Sequence, residues 1–553
     1  MKIQRAREAI RAGRFDLAAA TARDVLSVDP VSVDALEILA LAAKQKGDTV
    51  AAERELRRIV ALAPDAAWAR DDLARLLLEM GRVAEAEAEV RETVAMSPDH
   101  ADAHAMLGTF LSGREALVEG AWHLRRAIGL AGRHPQLLLN LARNLMRQGE
   151  LNEASTLAGE VTRAAPALLA AAVLAVEIAE QGDDVDAAHR AIEQATRLAA
   201  REGRDVLLLR ATLLSRDARW PEALAMLDHL PAMSGAARLL RGRLRDRAGR
   251  YDEAWTDFIE GKAALAAASG RRYDAGQVEE HFNRLATLRI PETPRPGRRE
   301  GPQPLFILGM PRSGTTMAEQ LLTSHSRIVA GGELPFTADL RDFAGRMLGD
   351  GEPFPHGMGK LWAADHHHIP ALLRDFYLAR AETYGLTHPG PAFFTDKMPL
   401  NEIYLPLLRL AFPDAPIVAV RRHPLDILVS VMAHDMTHGF DCGYRLEDTA
   451  HQFSAVSALT RSYRDMPHIF SYEDFVADQV SETARLMAHV GLAPEPAQAR
   501  FHESRRHAPT PSYAQVREPV HARSIGRWKN YRTQLAPVIG MVEDAIRAGG
   551  YDV

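Results

Sequence analysis

Three prolines, Pro30, Pro64 and Pro98, stand 34 residues apart. Turn glycines keep the same interval at Gly13, Gly47 and Gly81, and return at Gly149, Gly182 and Gly249. Five residues after each glycine comes an alanine: Ala18, Ala52, Ala86, Ala154, Ala187 and Ala254. Leu117-Val118-Glu119-Gly120-Ala121 fills the gap between Gly81 and Gly149. Arg219-Trp220-Pro221-Glu222-Ala223 fills the one between Gly182 and Gly249. A fixed period of this kind requires stacked, like-shaped units. The glycine ends a first helix by accepting positive φ. The alanine lets a second helix pack closely against the first, and the proline stops that second helix. The pattern predicts about eight helical hairpins over residues 1 to 265. One hairpin cannot bury its apolar face alone, so the stack is the stable unit.

This Gly, Ala and Pro phase resembles the tetratricopeptide repeat. The resemblance implies a curved groove for a peptide or protein partner; the alternative use of such a stack is a rigid spacer or dimerisation arm. Residues 266–302 then connect it to the rest of the chain. Val278, Phe282 and Leu285 place one more helix there by their i, i+4, i+7 spacing. Ile290 to Pro302 holds four prolines and two glycines, which mark an extended linker.

From 303 to 553 the pattern changes to short apolar runs alternating with helical stretches, the signature of a parallel α/β sheet. Expected strands are 305–308, 327–330, 393–395, 417–420 and 469–471. Helices are expected near 314–325, 335–348, 367–385, 400–412, 424–436, 447–466 and 474–491. The first strand runs into Gly309-Met310-Pro311-Arg312-Ser313-Gly314-Thr315-Thr316. Strand, glycine turn and helix place backbone N–H groups and a helix N-terminus around an anion. Gly309 and Gly314 have the spacing of a nucleotide P-loop, but Thr315 stands where its lysine would be. The cation sits inside the loop instead, at Arg312. Ligands of such sheets bind at the carboxyl ends of the strands. The other polar motifs fall at such ends or in a late loop: Thr395-Asp396-Lys397-Met398-Pro399, Arg422 with Ser430 eight residues on, Tyr472-Glu473-Asp474-Phe475, and Arg523-Ser524-Ile525-Gly526-Arg527-Trp528-Lys529-Asn530.

Together these motifs resemble the sulfotransferases that use 3′-phosphoadenosine 5′-phosphosulfate (PAPS), over about residues 303–540. P-R-S-G-T-T is similar to that family's 5′-phosphosulfate loop, which implies donor binding by Arg312, Ser313, Gly314, Thr315 and Thr316. Arg422 with Ser430 is similar to the 3′-phosphate motif. Tyr472 opens the Y-E-D element. R-x-x-G-x-W-K-N is similar to the segment that folds over the cofactor, with Ser524, Gly526, Trp528 and Lys529. Gly331-Gly332-Glu333 and D-K-x-P most resemble the tyrosylprotein sulfotransferases. That implies Glu333 as the base for the acceptor hydroxyl, and Lys397 and Arg312 as charge stabilisers. The sequence departs from that subfamily at Leu334, where a second Glu is expected. The further basic residue expected four residues after Ser430 is His434 here. The acceptor is a peptidyl tyrosine on this resemblance, or else a carbohydrate or small-molecule hydroxyl.

Each residue also has a plainer use. Glu333 can favour the dipole of the next helix, Lys397 can pair with Asp396, Arg422 can form a structural ion pair, Tyr472 can be core, and Trp528 either packs or stacks near an adenine. Two other classes compete. An ATP-using kinase is disfavoured by Thr315, and a repeat scaffold with a non-catalytic nucleotide-binding half is disfavoured by Arg312, Lys397 and Glu333. Sulfuryl transfer needs no metal to bridge two phosphates, and no metal site is expected. Adjacent histidines in Asp365-His366-His367-His368 point in different directions on a helix. His434 and His438 lack a third ligand. A net charge of −6 argues against nucleic-acid binding. The single cysteine, Cys442, excludes a disulfide framework. The N-terminus lacks the apolar core of a signal peptide. With no membrane-length apolar run, a cytoplasmic protein is expected, and the union of a repeat array with a half that resembles the sulfotransferases looks bacterial.

Overall fold

The computed structural model describes residues 1–553 apart from 115, 217–218, 231, 289–299, 349–353, 356, 359–367, 437–439, 464–466 and 504–517. Most of the linker, His366, His367 and His438 lie outside the described residues. Two compact units are present, Met1–Ala187 and Ala188–Val553. The sequence periodicity runs through that division, and the last repeat hairpins lie in the same unit as the α/β sheet.

Among the described residues, sixteen helices alternate from Lys2–Arg11 to Tyr251–Ser269. Gly13, Gly47, Gly81, Gly149 and Gly249 all take positive φ, between 70° and 85°, and Ala18, Ala52, Ala86, Ala154 and Ala254 are fully buried. The repeat at Gly182 departs from the expected register. Gly182 has φ −75°, and Asp183 takes the left-handed turn at φ 63°. Aspartate tolerates that conformation better than most residues. The slip of one residue passes to the next helix, where Ala188 rather than Ala187 is the fully buried alanine.

The second unit contains a sheet of five parallel strands: β1 Gln303–Leu308, β2 Ile328–Val329, β3 Phe393–Asp396, β4 Ile417–Arg421 and β5 His468–Ser471, in the order β2-β3-β1-β4-β5. β1 is central; Phe306 lies opposite Asp396 on one side and Ile417 on the other. Its alternation splits the core, with Leu305 and Ile307 packed with Met317, Leu321 and Phe470, and Phe306 and Leu308 packed with Phe336, Tyr377 and Phe394. The loops after β1, β3 and β4 therefore emerge side by side.

Two of the expected helices are divided, and one further helix is present. The stretch 474–491 is two helices, Tyr472–Ala477 and Gln479–Val490. They break at Asp478, whose side chain accepts from the Ser481 amide at 3.0 Å and starts the second. Residues 401–404 form a 3-10 turn before Leu405–Ala411, because Pro406 has no amide to extend an α-helix backward. A long helix, Arg532–Ala548, closes the chain.

The last repeat hairpin, Gly235–Arg247 with Tyr251–Ser269, shares a core with the α/β half. Leu239, Phe258, Phe282 and Leu285 pack in one cluster with Leu425, Trp528, Tyr531 and Val538. Within the hairpin, a Cβ at Gly242 would lie 2.6 Å from the Phe258 ring. Asp257, buried, receives Arg241 at 2.6 Å and Arg245 at 3.0 Å. Phe258 thus supports the hairpin and the α/β half together. Phe258→Ala is expected to destabilise the second unit by about 3–5 kcal/mol in chemical denaturation; a loss below about 1 kcal/mol would show that this core is not shared.

Candidate active site

The loop after β1 is folded tightly. Gly309 has φ 147°, and a Cβ there would lie 2.7 Å from Ser313 Oγ and 3.0 Å from the Val420 carbonyl. Arg312 takes φ 73°, a strained value for a residue with a side chain and one that clusters at functional sites. Gly314 caps the helix Thr315–Thr323 at φ 110°. The first-turn amides of that helix have no intrahelical acceptor and point out of the strand end. Ser313 Oγ is buried without a protein partner, as expected of a group placed to meet a ligand. Thr315 and Thr316 are buried at the helix start.

Arg312 and Arg422 meet across this loop. Arg312 Nε donates to Ser430 Oγ at 3.0 Å, and Arg422 donates from Nη1 to the Arg312 carbonyl at 3.1 Å and from Nη2 to the Ser524 carbonyl at 2.5 Å. The Arg422 guanidinium also lies 4.8 Å from the centre of the Tyr472 ring, which itself covers Gly314. Arg422 Nε is buried and without a protein partner. Burial, with the charges of Arg422, Arg243 and Arg527, pulls Arg312 down to about 9. Burial and the charges of Arg312 and Arg243 hold His434 well below the ordinary histidine range, although its Nδ1 contacts the Ser430 carbonyl at 2.8 Å. His434 is therefore neutral at pH 7. No ion pair of structural type explains Arg422 among the described residues; its contacts are with carbonyls and the Tyr472 ring.

Glu333 and Lys397 form the second group. Lys397 Nζ donates to Glu333 Oε1 at 2.5 Å, with the lysine buried and the carboxylate about a third exposed. The backbone between β2 and β3 sets this geometry. The Lys397 amide donates to the Gly332 carbonyl at 2.8 Å, and the Gly331 amide donates to Thr395 Oγ1 at 3.0 Å. A Cβ at Gly331 would lie 2.1 Å from the Thr395 carbonyl. Asp396 is not the partner of Lys397. It turns inward, where Oδ2 accepts from the Tyr377 hydroxyl at 2.5 Å and from Thr337 at 3.3 Å.

The C-terminal strap is held from below. Asp426, buried on the helix Pro424–Met432, accepts from the Gly526 amide at 2.7 Å and the Trp528 amide at 2.9 Å. Trp528 is buried and stacks on His423, with ring centres 5.1 Å apart. Lys529 is exposed on the strap. Glu473 of the Y-E-D element joins the His423 amide, at 2.8 Å, to the Tyr551 hydroxyl, also at 2.8 Å.

Of the residues singled out by sequence, Arg312, Ser430, Arg422, Tyr472 and Ser524 form one connected cluster around the loop, and Glu333 and Lys397 form another. Sequence reasoning passed over Glu319, which accepts from the Gly332 amide at 2.9 Å and from Thr395 Oγ1 at 2.7 Å and so ties the loop helix to the Glu333 segment. It also passed over Asp426. In both cases the available signal was an acid inside an otherwise apolar helical run. Among the described residues, no group of three or more His, Cys, Asp or Glu side chains is placed to hold a metal ion, and no helix is long and apolar enough to cross a membrane.

Comparison with known proteins finds two kinds of relative. Residues 304–496 match the sulfotransferase family, and residues 3–67 and 43–109 match tetratricopeptide repeat families. The chain thus carries a sulfotransferase-family domain behind an N-terminal repeat array. An uncharacterized protein of Aquifex aeolicus is 25% identical over 342 residues. That match covers 59% of this chain and 44% of the relative, so the chain spans less than half of that protein. Among solved structures, pilF of Pseudomonas aeruginosa is similar at 21% identity and a TM-score of 0.32, covering 36% of this chain and 90% of its own. A tetratricopeptide repeat protein of Parabacteroides merdae is similar at 14% identity and a TM-score of 0.38, covering 42% and 93%.

The buried acids behind the site give it a pH signature. Burial raises Asp396 and Glu402 to about 7 each. Both bind a proton more readily in the folded than in the unfolded chain. Their contribution to stability is therefore full below about pH 4 and is lost as pH rises through about 7. Asp396→Asn is expected to flatten this decline, removing a slope of up to about 1.4 kcal/mol per pH unit from denaturation measured between pH 4.5 and 7.5. An unchanged slope would mean that Asp396 is ionised throughout.

Proposed function

We propose that the chain is a PAPS-dependent sulfotransferase that moves a sulfuryl group to an acceptor hydroxyl, and that the acceptor is a peptidyl tyrosine. The observation that carries this reading is the Glu333–Lys397 pair at 2.5 Å, set beside a phosphate-type loop whose cation is Arg312. The protein-tyrosine assignment draws on the G-G-E and D-K-x-P segments and on a repeat array suited to holding a peptide.

The residues present fit a donor with two anionic ends. Ser313 Oγ and Arg422 Nε are buried donors without a protein partner, and the close packing at Gly309 leaves the loop amides facing outward. When bound, PAPS supplies the sulfuryl group and leaves as 3′,5′-adenosine diphosphate. Arg312, Ser313 and the amides of Gly314, Thr315 and Thr316 hold its 5′ end. Arg422 and Ser430 hold the 3′-phosphate, with Tyr472 beside them. Ser524, Gly526 and Lys529 lie on the strap over this end, and Trp528 is its buried anchor.

Glu333 takes the proton of the acceptor hydroxyl. Lys397 Nζ, at 2.5 Å from Oε1, holds the Glu333 carboxylate in place. As that carboxylate becomes neutral, the lysine is released to the oxygen left behind at the 5′-phosphate. Buried donors of this kind are worth about 3–4 kcal/mol in a transition state. In thermal-shift measurements, 3′,5′-adenosine diphosphate is expected to stabilise the protein more than ADP. Glu333→Ala is expected to lower transfer to a tyrosyl peptide about 10²–10⁴-fold while leaving that binding intact. Stabilisation by ADP with Mg²⁺ alone would overturn the reading, and full turnover by Glu333→Ala would overturn the base assignment.

A further inference from the structure

The helix Gly235–Arg247 belongs to the repeat stretch, yet its two sides do different things. Arg241 and Arg245 turn to Asp257 of the companion helix. Arg243 and Asp246, one turn apart on another side, turn to the transferase half. Arg243 Nη1 donates to the Ala433 carbonyl at 3.1 Å. Ala433 caps the helix that carries Ser430, three residues further on. Asp246 pairs with Arg527 at 2.9 Å and accepts from the Tyr531 hydroxyl. The hairpin therefore reaches both the Ser430 end of the donor site and the strap that covers it.

The charges there call for a polyanion. Burial, and after it the charges of Arg312, Arg243 and Arg527, hold His434 well below the ordinary histidine range. Burial and Arg527 draw Arg243 down to about 10, against an opposing pull from Asp435. Asp435 is shared, because it also faces the buried amine of Lys262, and Asp246 is matched to Arg527. Guanidinium groups gathered at half-buried positions repel one another and lose solvation. A ligand with several negative charges reverses both costs. Arg243 has five N–H donors in a planar fork suited to a phosphate, and its contact with Ala433 fixes the group without consuming that capacity. Its place at the end of the helix that carries Ser430, rather than at the amides of the loop helix, selects the 3′ end of the donor. At the position four residues after Ser430 the chain has a neutral imidazole, and the charge arrives from the repeat helix instead.

We propose that Arg243 binds the donor's 3′-phosphate together with Ser430 and Arg422, so that the last repeat hairpin forms part of the transferase site. This rests on the donor reading above, and the test separates the two. Titration calorimetry on the full chain compares 3′,5′-adenosine diphosphate with AMP, which lacks the 3′-phosphate. The wild-type chain is expected to prefer the former. Arg243→Gln is expected to cut that preference at least tenfold while affinity for AMP stays unchanged, and Arg243→Lys is expected to fall between. Arg238→Gln, on the same helix but paired with Glu260, is expected to keep the full preference. A wild-type chain with no preference overturns the donor reading and this inference with it. A wild-type preference retained in Arg243→Gln, or in Arg243→Lys should the first variant not fold, overturns the inference alone. A fall equal for both nucleotides also overturns it, by showing that Arg243 only supports the fold.

Discussion

The site depends on how closely the backbone after β1 approaches its neighbours. A Cβ at Gly309 would lie 3.0 Å from the β4 carbonyl of Val420. This approach turns the loop so that Arg312 is forced to positive φ and Gly314 can start a helix under the Tyr472 ring. Because β1 is the central strand, the same turn sits between the ends of β3 and β4, which deliver Lys397 on one side and Arg422 on the other. A side chain at Gly309 would displace both the loop serine and the strand, and the two groups of polar residues would lose their common origin.

A second constraint works at the level of whole elements. Phosphate-type loops are usually supported by their own sheet and helices. Here part of the support comes from a repeat hairpin. Asp257 fixes one side of the helix Gly235–Arg247 through two arginines, and that fixes where the other side points. Asp246 then holds the strap through Arg527 and Tyr531, while Asp426 holds the same strap by its backbone. Arg422 closes the arrangement by donating to the Ser524 carbonyl. The strap is thus fastened by a repeat helix, by the helix under the site and by the arginine after β4.

Much of this was legible in the sequence because it rests on local rules. A 34-residue period with glycines at helix ends can only be a helical stack. Apolar runs of strand length between helical patterns gave the five strands to within a residue or two at each end. The loop could be read because its chemistry lies within eight consecutive residues. What escaped depends on contacts far apart in the chain. The one-residue slip at Gly182 is invisible to a motif count, because Asp183 replaces glycine at the turn. Glu319 gains its meaning only when β3 brings Thr395 to it, 76 residues later. Arg243 is one arginine among many in an arginine-rich chain, and nothing local distinguishes it. Asp396 looked like the natural partner of its neighbour Lys397, but alternation along a strand sends adjacent side chains to opposite faces.

The slip at Asp183 lies next to the point where the two compact units divide, and the hairpin that touches the transferase half lies beyond it. This sets a direction in which such an architecture can be edited. Among the described residues, the cores of the hairpins before residue 188 are built from successive repeat helices, so such hairpins can be gained or lost as modules. The hairpin at 235–269 cannot be exchanged for a consensus unit, because its surface is cut to fit a second fold. The array is keyed at its last hairpin. Lineages that vary repeat number should therefore do so upstream, while the keyed hairpin keeps its length and register.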